Sequence, residues 1–252
     1  MAGAKDKSSD RSIYRRFMRR KGLAAFSVRH LETDLFIQAS KDLSREVSSW
    51  VVEARTAIET YAGAHPGFFG AVQPLKEDPF AHEVVRAMLS AGAAAGVGPM
   101  AAVAGAIAQL VCNRIVALTG GEAVVENGGD IALYLKDEMV SGIWAGRGSP
   151  FSARVGIRLL PGSKEGAFMA VCTSSGTIGH SLSLGRADAA VAVAADAALA
   201  DAAATGAGNL VASKSEIEKG LEYLSKIPGI TGGVIIKGDQ IGAWGQIELV
   251  PL

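Results

Sequence analysis

From Ala87 to Asn113 the chain carries no Asp, Glu, Lys or Arg. A stretch this long has to leave water, either across a bilayer, which needs about 20 apolar residues, or inside a sizeable core. Its composition favours the core. It is mostly alanine and glycine, which gain little from lipid, and Gly96-Val97-Gly98-Pro99 interrupts it with residues that end one helix and open the next. The expectation is two buried helices, about 80–94 and 99–118, with Pro99 in the first turn of the second.

A chain of 252 residues can bury a core of that kind. It reads as one domain over 1–252 with a disordered tail over 1–12. The opening "MAGAKDKSSDRS" has neither an apolar segment nor a small-residue cleavage site, so a cytoplasmic protein is expected. With 20% charged residues and a formal net charge of zero, a small-molecule partner is expected over a bulk polyanion. The run "YRRFMRR" at 14–20 is basic, but Tyr14, Phe17 and Met18 can anchor it to the body, and neither nucleic acid nor a membrane is expected as a partner. Cys112 and Cys172 lack zinc-site spacing and read as reduced core thiols. A homodimer is expected on base rates.

Residues 23–40, "LAAFSVRHLETDLFIQAS", alternate as a hairpin with Glu32, Thr33 and Asp34 near its turn. Leu43, Val47, Trp50, Val51, Ala54, Ile58 and Tyr61 recur at helical steps within 41–62. A loop rich in proline and glycine follows at 63–80. After "TGGE" come strand patterns in "AVVENGGDIALYL", "EMVSGIWAG", "FSARVGIRLL" and "GAFMAVCTSS", then a buried strand "AAVAVAA". Helices are expected at 196–207 and 214–227, and a closing hairpin turns at Gly238-Asp239. Regular strand-helix alternation is missing, so the fold class is α+β: a layered fold with a mixed or antiparallel sheet packed by alanine-rich helices.

Three stretches carry candidate chemistry. In "GVGPM", 96–100, Gly98 and Met100 stand at a helix start, where free amides suit a phosphate; the plainer reading is a turn between packed helices. In "ENGGDI", 126–131, Gly128 and Gly129 permit close backbone approach, and Asn127 and Asp130 offer hydrogen bonds to a ligand. A glycine bulge served by Asn and Asp is the alternative. In "ADAALADAAATGAGN", 195–209, Asp196 suits a helix cap, while Asp201 and Thr205 are four apart and share one face. That pair can hold Mg2+, or Asp201 can face solvent while Thr205 bonds back to its own helix. His180, in a loop after "TSSGT", is a candidate general base or phosphate donor.

Together these stretches resemble the ApbE superfamily, the magnesium-dependent flavin transferases that cleave FAD and attach FMN to a protein threonine or serine. Asp201-Ala-Ala-Ala-Thr205 is similar to that family's metal-binding Asp and Thr, "VVENGGDI" at 124–131 to its glycine-rich strand end, and "VCTSSG" at 171–176 to its Ser-Gly strand end. "GPMAAVAGAIAQ", 98–109, sits where the family has its small-residue helix at the nucleotide, and the order agrees over about 95–212. The family's Lys-Gly pair is Ala104-Gly105 here, and "GHSLSLGRADAA" replaces its His-x-x-Asp-Pro-x-Thr-Gly segment. "ETDL" and the short chain resemble a small branch of the superfamily. The resemblance implies an ApbE-like, T-fold-related architecture and a site for Mg2+ and FAD or a related nucleotide diphosphate. Asp201 and Thr205 would serve the metal, with Gly98, Met100, Asn127, Gly128, Gly129, Asp130, Ser174, Ser175 and Gly176 at the cofactor and His180 as catalytic group. A protein acceptor goes with that activity. The alternative is a non-catalytic or accessory protein of sulfur or amino-acid (homocysteine) metabolism that retains the fold alone.

Overall fold

The computed structural model describes Arg15 and residues 20–163, 165–175 and 187–252. Eight strands form one antiparallel sheet in the order β1-β2-β3-β4-β7-β8-β9-β10: Ala24–His30, Thr33–Ala39, Ala123–Asn127, Asp130–Leu135, Ala167–Ser174, Ala189–Ala194, Ile230–Lys237 and Gln240–Gly245. A three-stranded sheet holds β5 (Met139–Gly142), β6 (Val155–Leu159) and β11 (Glu248–Pro251) in the order β11-β6-β5. The helices are α1 (Ser44–Ala64), α2 (Glu83–Ala95), α3 (Val103–Thr119), α4 (Ala197–Leu210) and α5 (Ile217–Ser225).

Strand alternation separates two cores, because successive side chains point to opposite faces. Val125, Ala132, Ala170, Cys172 and Ala192 face the helices, whereas Val124, Leu133, Val171 and Val191 pack with Leu135, Ile157 and Leu159 on the side of the small sheet. The result is three layers with the large sheet in the middle. α4 is buried along nearly its whole length, between β7 and β8 on one side and α2 and α3 on the other. Alanine and glycine permit this, since only small side chains let a helix be covered all round at short interaxial distance.

The charge-free stretch forms α2 and α3, separated by Gly96 in a left-handed C-cap and by a 3-10 turn, Pro99–Ala102, with the proline at its start. Pro99–Thr119 is the one helical stretch among the described residues long and apolar enough to cross a membrane, and it packs against α4, β3 and β4. Every strand pair in the large sheet is antiparallel, which narrows the expected mixed or antiparallel sheet. The expected tail, 1–12, lies outside the described residues. Arg15 is held by the body: its guanidinium donates to Glu126 Oε2 at 2.7 Å, Asp34 Oδ1 at 2.9 Å and the Asp34 carbonyl at 2.7 Å. Arg20 donates to Glu122 at 2.9 Å. These two cations of the basic run are spent on the protein's own acids; Tyr14, Phe17 and Met18, expected to anchor the run, lie outside the described residues.

Candidate functional site

The strand period that aims Val125, Ala132 and Cys172 at the helices aims Asn127, Asp130 and Ser174 the same way, at one end of β3, β4 and β7. Asp130 sits opposite Cys172 in register, with Ser174 two residues further along β7. Above this face α4 carries Asp201, Thr205 and Gly208, whose spacing of four and three puts them on one side of a helix. A buried polar row on the sheet therefore meets a buried polar row on the helix: Asn127, Asp130, Ser174, Asp201 and Thr205 are all buried.

Tight packing fixes the two rows. α3 crosses α4 at Gly105, where a Cβ would lie 2.1 Å from the Ala197 carbonyl oxygen. The first peptide of α4 is pinned from both sides: the Ala197 amide donates to Gln109 Oε1 at 2.8 Å, and its carbonyl accepts from the Cys172 thiol at 3.3 Å. Asp196 caps the helix by accepting from the Leu199 amide at 2.9 Å, as its position in the sequence implies. Asp201 Oδ2 accepts the Gly105 amide at 2.9 Å, with the Ala104 amide also donating to the carboxyl. Asn127 Nδ2 donates to the Ala104 carbonyl at 3.1 Å. The start of α3, the turn after β3 and the middle of α4 thus share one hydrogen-bonded junction.

Two atoms in the rows have no partner among the described residues, Asp130 Oδ1 and Ser174 Oγ. A buried polar atom left unpaired costs about 1–3 kcal/mol, so each such atom points to a ligand, an ion or water. The Thr205 hydroxyl has no partner among the described residues either, unlike Thr119, which bonds back to the Ile115 carbonyl at 2.8 Å. Burial pushes the Asp201 carboxyl up to about 7 against the pull of its two amide donors. Asp130 lies well above the carboxylate range, first through burial and then through the charges of Asp201 and Glu126. Burial also raises Cys172, with Asp130 and Asp201 adding to it, and lifts Cys112 to about 12. Neither cysteine is a thiolate near neutral pH, so both are the core thiols their sequence context suggests.

Several candidates have a role within the fold itself. Gly128 and Gly129 form the two-residue turn of the β3-β4 hairpin, with φ of 71° and 110°. Positive φ at both positions is what such a turn demands. A Cβ on Gly129 would find only the Thr173 carbonyl, at 3.8 Å, so at that position the chain itself makes no close approach. The close approach is at Gly98 instead, and its cause is the chain itself: a Cβ there would lie 1.7 Å from the Ala71 carbonyl oxygen. The Gly98 amide donates to Val72 O at 3.1 Å and is unavailable to a phosphate, while Met100 lies half-buried against the core. The group that α3 does hold at its start is the Asp201 carboxyl, on the Gly105 amide. Ser175 lies next to Ser174 at the end of β7; Gly176 and His180 lie outside the described residues.

Sequence reasoning missed Glu126. Its side chain is fully buried, with Oε2 on Arg15 and Oε1 accepting the Gly129 amide at 2.8 Å, so it orders the turn that precedes Asp130. A charged residue directly after the apolar run Ala123-Val124-Val125 was the available signal. The other cluster of acidic and histidine side chains, Glu53, His82 and Glu83, surrounds Arg114, which donates to Glu53 at 2.7 Å and Glu83 at 2.7 Å. That guanidinium already supplies the positive charge there.

The row between sheet and α4 has the donor set of a hard dication: carboxyl and hydroxyl oxygens, two of them, Asp130 Oδ1 and Ser174 Oγ, without a partner among the described residues. Asp201 and Thr205 fit Mg2+ on these grounds. The architecture is that of the ApbE proteins. The flavinyl transferase ApbE of Pseudomonas stutzeri, in its apo form, superposes with a TM-score of 0.54 over 88% of this chain and 94% of its own, at 15% identity. The ApbE protein of Thermotoga maritima gives 0.54 over 87% and 96%, at 13% identity. These likenesses are of fold. The chain belongs to the family described as AbpE bacteria, which matches residues 15–221, and within the ApbE superfamily it falls in the UPF0280 branch. A UPF0280 protein of Methanosarcina barkeri is 42% identical over 197 residues, covering 78% of this chain and 76% of the relative. One from Methanocella arvoryzae is 36% identical over 234 residues, covering 93% and 92%.

Proposed function

We propose that this protein binds FAD or a related nucleotide diphosphate together with Mg2+ in the space between β3, β4, β7 and α4, and acts as a flavin-transferase-like enzyme. The observation that carries the reading is the buried polar row itself, in which Asp130 Oδ1 and Ser174 Oγ lack partners among the described residues, beside Asp201 and Thr205. A folded chain keeps such atoms unpaired where a ligand completes them. The Pseudomonas stutzeri protein that shares the fold is a flavinyl transferase, which supports the choice of flavin.

Asp201 and Thr205 would hold the metal, which when bound supplies Lewis-acid polarisation of a diphosphate. The chain's own contribution is positional. Asp201 is immobilised by the amides at the start of α3, and α4 is locked by the Gly105 crossing and by Gln109. Asn127, tied to Ala104, fixes the hairpin end from which Asp130 projects, and Ser174 offers a hydroxyl to a polar ligand atom. Side chains fixed in this way would orient a ligand with little entropy lost by the protein on binding. The competing reading, an accessory protein that keeps the fold without the chemistry, draws on Ala104, which stands where the family's lysine precedes Gly105.

Calorimetric titration with FAD, FMN and ADP, with and without Mg2+, followed by product analysis, separates the two. Mg2+-dependent FAD binding with AMP release, abolished by Asp201→Ala, is the expected result. Binding without product supports the accessory role, and no nucleotide binding under any condition overturns the proposal.

A further inference from the structure

We propose that Arg15 is a positioning residue for the proposed ligand site: from the far face of the sheet it holds Glu126, and through Glu126 the Gly128-Gly129 turn that presents Asn127 and Asp130 to the ligand. This rests on the function proposed above and adds to it the residue that sets the shape of the hairpin end.

Three observations carry it. Strand alternation turns Glu126 to the face opposite Asn127, away from α4, and its side chain is fully buried there. Its two oxygens serve two partners: Oε2 accepts from Arg15 Nε at 2.7 Å, and Oε1 accepts from the Gly129 amide at 2.8 Å. That amide lies in the turn between the paired residues Asn127 and Asp130, outside the strand ladder. Arg15 is itself held in place, since its other nitrogens donate to Asp34 Oδ1 at 2.9 Å and to the Asp34 carbonyl at 2.7 Å, and its guanidinium stands 5.9 Å from the centre of the Phe36 ring. Phe36 pairs with Glu126 in register, so one side chain ties β2 to the end of β3.

The link is one of charge. A buried carboxylate that loses a cation partner is driven to turn out to water or to take up a proton. Turning out breaks the Gly129 bond, and protonation reduces it from a charge-assisted bond to a weaker neutral one. Either change loosens a two-glycine turn that has no side chain of its own to hold it. Asn127 and Asp130 flank that turn directly, whereas the helix side of the site is fixed independently at Gly105 and Gln109.

The test is amide hydrogen exchange, read by NMR on the full chain without ligand, for wild type, Arg15→Ala, Glu126→Gln and the double variant. Gly129 should exchange about tenfold faster or more in Arg15→Ala, the equivalent of one lost charge-assisted hydrogen bond. Glu126→Gln alone should also exchange faster, because its single oxygen cannot serve both Arg15 and the Gly129 amide. The double variant should return to the wild-type rate, since Gln accepts that amide and needs no cation. FAD titration with Mg2+ should follow the same order, weaker in each single variant and restored in the double. If Arg15→Ala fails to fold, the double variant decides alone, with recovery of the fold and of Gly129 protection expected. Wild-type exchange in Arg15→Ala overturns the inference; so does a double variant as damaged as Arg15→Ala, which would make Arg15 a packing residue only. Wild-type FAD affinity in Arg15→Ala overturns it too, while leaving the proposed function standing. Wild type that binds no FAD overturns the proposed function, and the inference with it.

Discussion

Replacing Asp201 by Asn in the metal-free protein should change how stability depends on pH. In the unfolded chain this carboxyl ionises near its ordinary value of 3.8, whereas in the folded chain burial holds it protonated up to about 7. Between those values the native state binds more protons than the unfolded state, so wild-type stability falls as pH rises through that window. The window is about three pH units wide, and at roughly 1.4 kcal/mol per unit it sets a ceiling of about 4 kcal/mol on the loss. Asp130 acts with the same sign, because its carboxyl is also raised. Asn retains an oxygen to accept the Gly105 amide, so wild type and variant should be close at about pH 4.5 and diverge toward about pH 7.5, with the variant the more stable by a few kcal/mol. Urea unfolding in EDTA at several pH values across the window gives both curves. Added Mg2+ at the alkaline end should recover wild type and leave Asp201→Asn unchanged. Parallel curves for the two proteins would refute the reasoning, since they would mean that Asp201 titrates alike in the folded and unfolded states.

Gly105→Ala drives a Cβ to within 2.1 Å of the Ala197 carbonyl and should cost about 3 kcal/mol or more, whereas Gly208→Ala meets only ordinary contacts at 3.6 and 3.7 Å and should be neutral to about 1 kcal/mol stabilising; urea midpoints check both. Arg15→Ala removes the guanidinium from buried Glu126 and should lower stability by about 3 kcal/mol, read by the same assay. Cys112 and Cys172 should resist alkylation in the native protein and react together on unfolding, which mass spectrometry after iodoacetamide treatment would show. Glu53, held down to about 2 chiefly by Arg114, adds stability above its ordinary 4.5 that is lost as pH falls toward 2; Arg114→Ala should remove that acid-side loss in the same pH series.

Periodicity made most of the fold legible. The step-of-three-and-four pattern marked α1 from Val47 to Ile58, Gly96 and Pro99 divided α2 from α3, and Gly238-Asp239 marked the β9-β10 turn. The spacing of Asp201 and Thr205 was equally readable, because helical geometry alone puts them on one face. What the glycines do within the fold was less legible the more distant its cause. Gly128 and Gly129 answer to a turn two residues long, while Gly98 answers to Ala71 on a loop that joins two helices, a contact no local pattern encodes. Likewise, Asp201 reaches across 96 residues of chain to the Gly105 amide, and Arg15 across 111 to Glu126. Side-chain bonds over such separations follow from tertiary packing, so they left no trace in the sequence beyond a charged residue where an apolar one was due.

Everything proposed for this protein depends on the buried row around Asp201 and Thr205 binding a nucleotide diphosphate through Mg2+. Calorimetric titration of FAD into the purified protein, with and without Mg2+ and alongside Asp201→Ala, tests that most directly. Binding that requires both Mg2+ and Asp201 is the predicted result; FAD binding unaffected by either, or absent altogether, would contradict it.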